Sequence, residues 1–364
     1  MRTLLYQVLD KGVEAGASDV HIKEDYSVHY RINGEMISSD FFAEKELLER
    51  FIHQVAHDEA QMANFIKIGD LDISHVEDEV GRFRVNIHKQ RGVIAITMRH
   101  VKSEILDFNE LGLPEVLNSI SEIPRGIIIL CGTTGSGKST TLAAMINKIN
   151  NSMRKHIITV EDPIEYEFTD NLSYIEQREV GIDTESFASS LKHVLRQDPD
   201  VIMVGEMRDK FSFEAALQAA DTGHLVMTTL HASNSTQAVN RILDFYEKSE
   251  QDSIREALAI NLYATISQRL LPEAFGNGRV PAVEIMINTP IVGKLLENNK
   301  LDKLALAVEA GRNDGMISFN QCLYDLVNDG RITEEDALEA ASNPEALKMN
   351  FEGIFLANDT NILG

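Results

Sequence analysis

The pattern of hydrophobic and polar positions changes period several times over the first ~100 residues. Positions 4–15 carry apolar residues at helical spacing. Positions 19–22 and 27–32 alternate as half-buried strands do, and Asn33 followed by Gly34 is a hairpin-turn signal. Positions 41–63 return to helical periodicity, and positions 70–75, 82–88 and 93–100 alternate again. This predicts a small α+β unit over residues 1–100. Residues 101–114, VKSEILDFNELGLP, read as a linker ending at a proline.

From residue 115 the pattern is different. Short, almost continuously apolar runs at 126–130, 156–160, 201–204 and 225–230 are separated by helical stretches. Strands covered on both faces read this way, so residues 115–364 are predicted to hold a mainly parallel sheet of α/β type. After residue ~250 the pattern predicts a mainly helical end. The tail after Lys348 shows no helical period, which predicts a partly mobile end.

One of these runs feeds a glycine-rich turn. In IIILCGTTGSGKSTTLAAMINKI, Gly132 is followed, after four intervening residues, by Gly137-Lys138-Ser139, between an apolar strand and an amphipathic helix. That context and spacing define a phosphate-binding loop. Gly132, Thr133, Thr134, Gly135, Ser136 and Gly137 are expected to turn backbone N–H groups toward phosphate oxygens, helped by the helix dipole. Lys138 is expected to reach the β- and γ-phosphates, Ser139 to ligate Mg²⁺, and Thr140 to touch the α-phosphate. The ligands implied are ATP and Mg²⁺.

Such a loop needs acids, and ligands of a parallel sheet lie at the C-terminal strand ends. VIMVGEMRD places Glu206 there, as a Mg²⁺ ligand directly or through water. IITVEDPIEYEF offers Glu161, Asp162 and Glu165, of which one can organise metal waters and another take the proton of the attacking water. The buried strand in TGHLVMTTLHA has His224 at one end and His231 at the other, about 20 Å away along an extended chain. His231 is expected to sense the γ-phosphate, and His224 to orient structure or meet a neighbouring subunit.

The chain has 364 residues, 43% hydrophobic and 25% charged, and a net charge of −23. That charge argues against binding along nucleic acid, which needs a cationic surface. No apolar run reaches the ~18 residues of a membrane span, so no direct membrane insertion is expected. The acidic, amphipathic N-terminus does not read as a signal peptide, and a cytoplasmic protein is expected. Two cysteines, Cys131 and Cys322, form no zinc knuckle. Cys131 is expected to be a small buried hydrophobe.

Together, GTTGSGKST, EDPIE, VGEMRD and TGHLVMTTLHA resemble, in order and spacing, the Walker A, acidic, Walker B and histidine boxes of the secretion ATPases. Within them the chain resembles the type IV pilus retraction ATPases of PilT/PilU type, over about residues 1–345. GRFRVN, QREVG, LRQDPDVI and NLYATISQRLLP extend the likeness. The resemblance implies a PAS-like domain, a RecA-like ATPase domain with C-terminal helices, and a homohexamer. It implies Glu165 as catalytic base, Glu206 as the Walker B acid and His231 at the γ-phosphate. Arg84 and Arg99, with Arg208 as an alternative, would neutralise the transferring phosphoryl group. The implied setting is peripheral to the inner membrane, on a pilus platform protein and beside a paralogous retraction ATPase. Where the main retraction motor carries an arginine-containing AIRE-type helix, NTPIVGKLLENNK has none, and the ending is more like the accessory branch, PilU. A pilus assembly or type II secretion ATPase, lacking here its four-cysteine module, and a nucleotide-binding ring adaptor are the other readings. A DNA-translocating ring is disfavoured by charge.

Overall fold

A computed structural model describes residues 3–32, 34–55, 59–101, 104–276 and 278–354. Asn33 of the expected hairpin lies outside them, as do residues 355–364 of the tail. The chain divides into two compact units, Met1–Glu104 with Glu165–Glu167, and Ile105–Ile164 with Phe168–Gly364.

The first unit runs α1 (Leu4–Glu14), β1 (Asp19–Lys23), β2 (Tyr26–Ile32), β3 (Glu35–Ala43), α2 (Lys45–Val55), α3 (Glu59–Ile68), β4 (Asp70–Glu77), β5 (Gly81–Gln90) and β6 (Val93–Val101). The strands form one sheet in the order β3-β2-β1-β6-β5-β4. Its inner face supplies Val20, Val28, Phe83, Val85, Ile87, Ile96 and Met98 to a core completed by Leu5, Val8 and Leu9 of α1 and Phe51 of α2. Alternation then puts Arg84 and Arg99 on the opposite face. The helical reading of positions 41–63 is corrected at its start, because Phe41–Ala43 ends β3. That strand is an edge whose residues are mostly exposed, so it carries almost no alternation to read.

The second unit runs α4 (Val116–Ser121), β7 (Gly126–Cys131), α5 (Lys138–Ser152), β8 (His156–Glu161), β9 (Tyr174–Glu179), α6 (Phe187–Val194), β10 (Val201–Val204), α7 (Lys210–Asp221), β11 (Leu225–Leu230), α8 (Ser235–Leu243), α9 (Gln251–Asn261), β12 (Leu262–Pro272) and β13 (Arg279–Ile287). Helices α10 (Pro290–Glu297), α11 (Leu304–Ala310), α12 (Phe319–Asn328), α13 (Glu334–Ala340) and α14 (Pro344–Phe351) follow. The sheet order is β13-β12-β7-β11-β10-β8-β9. Every neighbouring pair is parallel except β12 with β13. Two apolar clusters, one on each face, enclose the central strands, and every residue of β7, β10 and β11 is buried. The expected class holds: mixed α/β, a mainly parallel sheet and a smaller N-terminal unit.

The mainly helical reading beyond residue ~250 holds for α9 to α14 but missed β12 and β13. Helix α9 passes into β12 at Leu262 with no intervening loop, so no glycine or proline marks the change of period. The tail reading is also corrected, since α14 continues past Lys348 to Phe351. Among the described residues no helix is long and apolar enough to cross a membrane.

Candidate active site

Strand order decides what stands next to the phosphate loop. β7 ends at Cys131 and delivers Gly132–Gly137 to the start of α5. β11 lies beside β7 and ends one residue before His231, and β10, next again, ends two residues before Glu206. Neighbouring strands lie about 4.8 Å apart, so the loop, His231 and Glu206 share one sheet edge. A cleft of about 420 Å³ there is lined by Gly132, Thr133, Thr134, His231, Ala232, Ser233 and Gln237.

The loop is tightly supported from below. Gly137 has φ +88°, and a Cβ there would lie 2.6 Å from Nε2 of Gln268. A Cβ on Gly132 would lie 2.7 Å from the Gln268 carbonyl oxygen and 2.3 Å from Ser136 Oγ. Gln268, buried on β12, accepts a 2.7 Å hydrogen bond from Thr141 Oγ1 in the first turn of α5. Lys138 Nζ donates to the carbonyl oxygens of Gly132 and Thr133, at 2.9 Å each, so its ammonium lies along the loop's own backbone. Ser139 and Thr140 follow as the second and third residues of α5.

Glu206 is held by both oxygens. Oε1 lies 3.2 Å from Nε2 of His231, and Oε2 lies 2.7 Å from Nη2 of Arg208. The Glu206 bond holds the Arg208 guanidinium further above its ordinary pKa. Arg208, considered as a phosphoryl-neutralising group, is thus a partner of Glu206. Thr229 Oγ1 of β11 donates to Gly205 O at 2.8 Å and fixes the turn that presents Glu206. Among the described residues no cluster of three or more His, Cys, Asp or Glu could hold a metal ion. Mg²⁺ keeps several waters and takes one or two protein oxygens plus phosphate oxygens. Ser139 and Glu206 would be those oxygens.

The acidic box is divided. Glu161 is buried at the end of β8, where its Oε1 accepts from Thr159 Oγ1 at 2.8 Å and Gln177 Nε2 at 3.1 Å. Asp162 and Glu165 are exposed. Glu165 groups with the N-terminal unit and not with the unit that carries the phosphate loop.

Arg84 and Arg99 stand directly opposite each other on β5 and β6. Side chains so paired have Cβ atoms about 5 Å apart, and like charges there are destabilising without a counter-charge. Arg99 Nε donates to Asp19 Oδ1 at 2.8 Å. His224 is occupied at the far end of β11. Its Nδ1 donates to Ala219 O at 2.9 Å and lies 3.0 Å from Thr222 Oγ1, which ties the end of α7 to the strand.

Sequence reading missed Gln268 and Glu284, a buried carboxyl of β13. The signal for Gln268 was available as alternation in LYATISQRLLP, and that for Glu284 as the one carboxylate in the apolar run VPAVEIMI, once those segments are taken as strands.

The chain matches the family described as Type II/IV secretion system protein over residues 1–318. It is 38% identical over 340 residues to the type IV pilus retractation ATPase PilT of Pseudomonas aeruginosa, across 93% of this chain and 98% of that one. It is 36% identical over 339 residues to the type IV pilus ATPase PilU of the same organism, across 93% of this chain and 88% of that one. A crystal structure of the pilus retraction motor PilT with bound ADP matches at TM-score 0.87 and 40% identity, covering 95% of this chain and 99% of that chain. At 38% against 36% identity, the main and accessory branches are not separated.

Proposed function

The chain belongs to the type II/IV secretion system family, and from that premise we propose that it is a motor that powers or assists type IV pilus retraction. It is a nucleotide-binding ATPase of that family. The observation that carries the reading is the shared sheet edge, where the phosphate loop, His231 and the Glu206 carboxylate lie on three successive strands.

In the reading we offer, backbone N–H groups of Gly132–Gly137 hold the phosphates and Lys138 swings from its backbone carbonyls to the β- and γ-oxygens. Ser139 and Glu206 hold Mg²⁺, Glu206 directly or through water. Mg²⁺ held there would offset the charge that develops in transfer. Glu165 takes the proton of the water that attacks the γ-phosphorus. The bond to the β-phosphate oxygen breaks and ADP leaves with phosphate. His231 donates to the γ-phosphate, and Arg84 and Arg99 neutralise its charge. Residues 1–100 are the PAS-like domain, 101–114 the linker and 115–364 the RecA-like domain of a homohexamer. The ring acts at the inner-membrane pilus platform, peripheral to that membrane, beside a paralogous retraction ATPase. The near-equal identity to PilT and PilU supports a place in the retraction branch, with or without a partner motor.

Turnover by the purified protein tests this. Lys138→Ala is expected to abolish hydrolysis and weaken ATP binding by about 10–150-fold, the scale of one lost hydrogen bond to a charged group. In cells, a Lys138→Ala allele is combined with deletion of any paralogous motor and pilus retraction is measured. Retraction unaffected by Lys138→Ala in both backgrounds overturns the motor reading. Wild-type protein that binds ATP without turnover, alone and with a partner motor, supports the ring adaptor instead.

A further inference from the structure

Glu284 is a buried titratable side chain of the parallel-sheet unit that the proposed chemistry does not use. It is 8% exposed, and burial pushes its carboxyl above the ordinary glutamate range, partly offset by bonds from Ser235 and the charge of Arg269. Packing alone would be better served there by leucine or methionine.

Its contacts are specific. One oxygen, Oε1, accepts from the Ser235 backbone N–H at 2.8 Å and from Ser235 Oγ at 2.7 Å. Ser235 Oγ in turn accepts from Thr265 Oγ1 of β12 at 2.8 Å. Ser235 and Thr265 are both buried, so this hydroxyl has one orientation, donating to β13 and accepting from β12. The same carboxylate lies close enough to Cys131, the last residue before the phosphate loop, to add to the burial that raises that thiol's pKa to about 12. Glu284 pairs with Ser267 of β12, whose other neighbour is Cys131 of β7, and its carboxylate holds the start of the helix that follows His231.

Ser235 opens α8, and the segment before it forms the cleft wall opposite the loop. That wall is internally stiff. Asn234 Oδ1 accepts from Gln237 N at 2.8 Å, and Gln237 Oε1 accepts from Ser233 Oγ at 2.7 Å. A stiff segment tied to the sheet at one buried point moves as a body if that point is released. A carboxylate at the first turn of a helix also opposes the positive end of the helix dipole.

We infer that Glu284 is a positioning residue for the γ-phosphate side of the cleft: through Ser235 it fixes the His231–Gln237 wall against the phosphate loop. The inference rests on the reading of this cleft as the nucleotide site. It places His231 at its working distance without Glu284 touching nucleotide.

The test compares wild type, Glu284→Ala, Glu284→Gln, Ser235→Ala and His231→Ala. Dissociation constants for ADP and for a non-hydrolysable ATP analogue are measured with turnover. Glu284→Ala is expected to cut the preference for the ATP analogue over ADP by about tenfold or more, the scale of a lost hydrogen bond to a charged group. Its ADP affinity is expected to stay within about twofold, since the phosphate loop is untouched. Glu284→Gln, whose amide oxygen still accepts from Ser235, is expected to recover most of the preference. In a His231→Ala background, Glu284→Ala is expected to add little, because both act through one contact. Equal weakening of both nucleotides, unchanged preference, or additivity with His231→Ala overturns the inference. Should Glu284→Ala not fold, Ser235→Ala carries the test: reduced preference supports the inference and wild-type preference overturns it. Wild-type protein that binds neither nucleotide would refute the reading of the cleft, and is distinct from each of these results.

Discussion

Two histidines at the ends of one buried strand have opposite surroundings. His231 is half-exposed in the cleft and shares a carboxylate with the Walker B turn, while His224 is bound to the backbone of the preceding helix end. A side chain that can meet the terminal phosphate discriminates ATP from ADP, and one tied into a helix–strand turn does not. His231→Ala is therefore expected to reduce the ATP-over-ADP preference by about 1.5–3 kcal/mol, and His224→Ala to leave it intact while costing about 0.5–1.5 kcal/mol of stability. Calorimetric titration of both variants with ADP and an ATP analogue checks this. Equal loss in the two would mean that neither strand end has a privileged view of the phosphate.

At the scale of elements, β12 and α5 share a buried hydrogen-bonded pair beneath the phosphate loop. Thr141 Oγ1 donates to Gln268 Oε1, and the Gln268 side chain and backbone occupy the space that a Cβ on Gly137 or Gly132 would need. Thr141→Val keeps the volume and removes the donor, so a buried amide oxygen loses this bond. The expected cost is about 1–3 kcal/mol, read as a lower denaturation midpoint. Gly137→Ala is expected to act differently, on nucleotide binding more than on stability. Its φ of +88° favours glycine and its Cβ would push on the amide that braces the loop. A Gly137→Ala protein that binds nucleotide as wild type does would show that the brace has no bearing on the cradle.

For the whole molecule, the proposed arginine pair belongs to one compact unit and the phosphate loop to the other. Two guanidinium-bearing side chains in register on an exposed face are an unfavourable arrangement unless an anion meets them. Arg84→Ala is accordingly expected to lower turnover without lowering thermal stability, and Arg99→Ala to lower turnover while also costing stability, because it strips the buried Asp19 carboxylate of its ion-pair partner. Mixed with Lys138→Ala protomers, either variant tests whether the arginines act across subunits. Partial recovery of hydrolysis in the mixed ring indicates action in trans, and no recovery in a verified mixed ring restricts them to cis. Turnover equal to wild type in both single variants would make them ordinary surface residues.

The sequence by itself determined the class of fold and raised the proposal for the local chemistry. Spacing and flanks identified the phosphate loop, because the geometry that binds phosphate is made by consecutive residues. Continuous apolar runs identified β7, β8, β10 and β11, because strands buried on both faces leave no polar alternation. Edge strands were less legible: β3 is largely exposed and β9 mostly half-buried on both faces, so neither carries a clear pattern, and the β12–β13 pair followed a helix without a break. Only the tertiary structure decided which strand ends are neighbours. It set Arg84 opposite Arg99, His231 against Glu206, Gln268 under the phosphate loop and Glu284 under the start of α8. Each is a contact between residues far apart in the chain, fixed by strand order and register, and no local period encodes either.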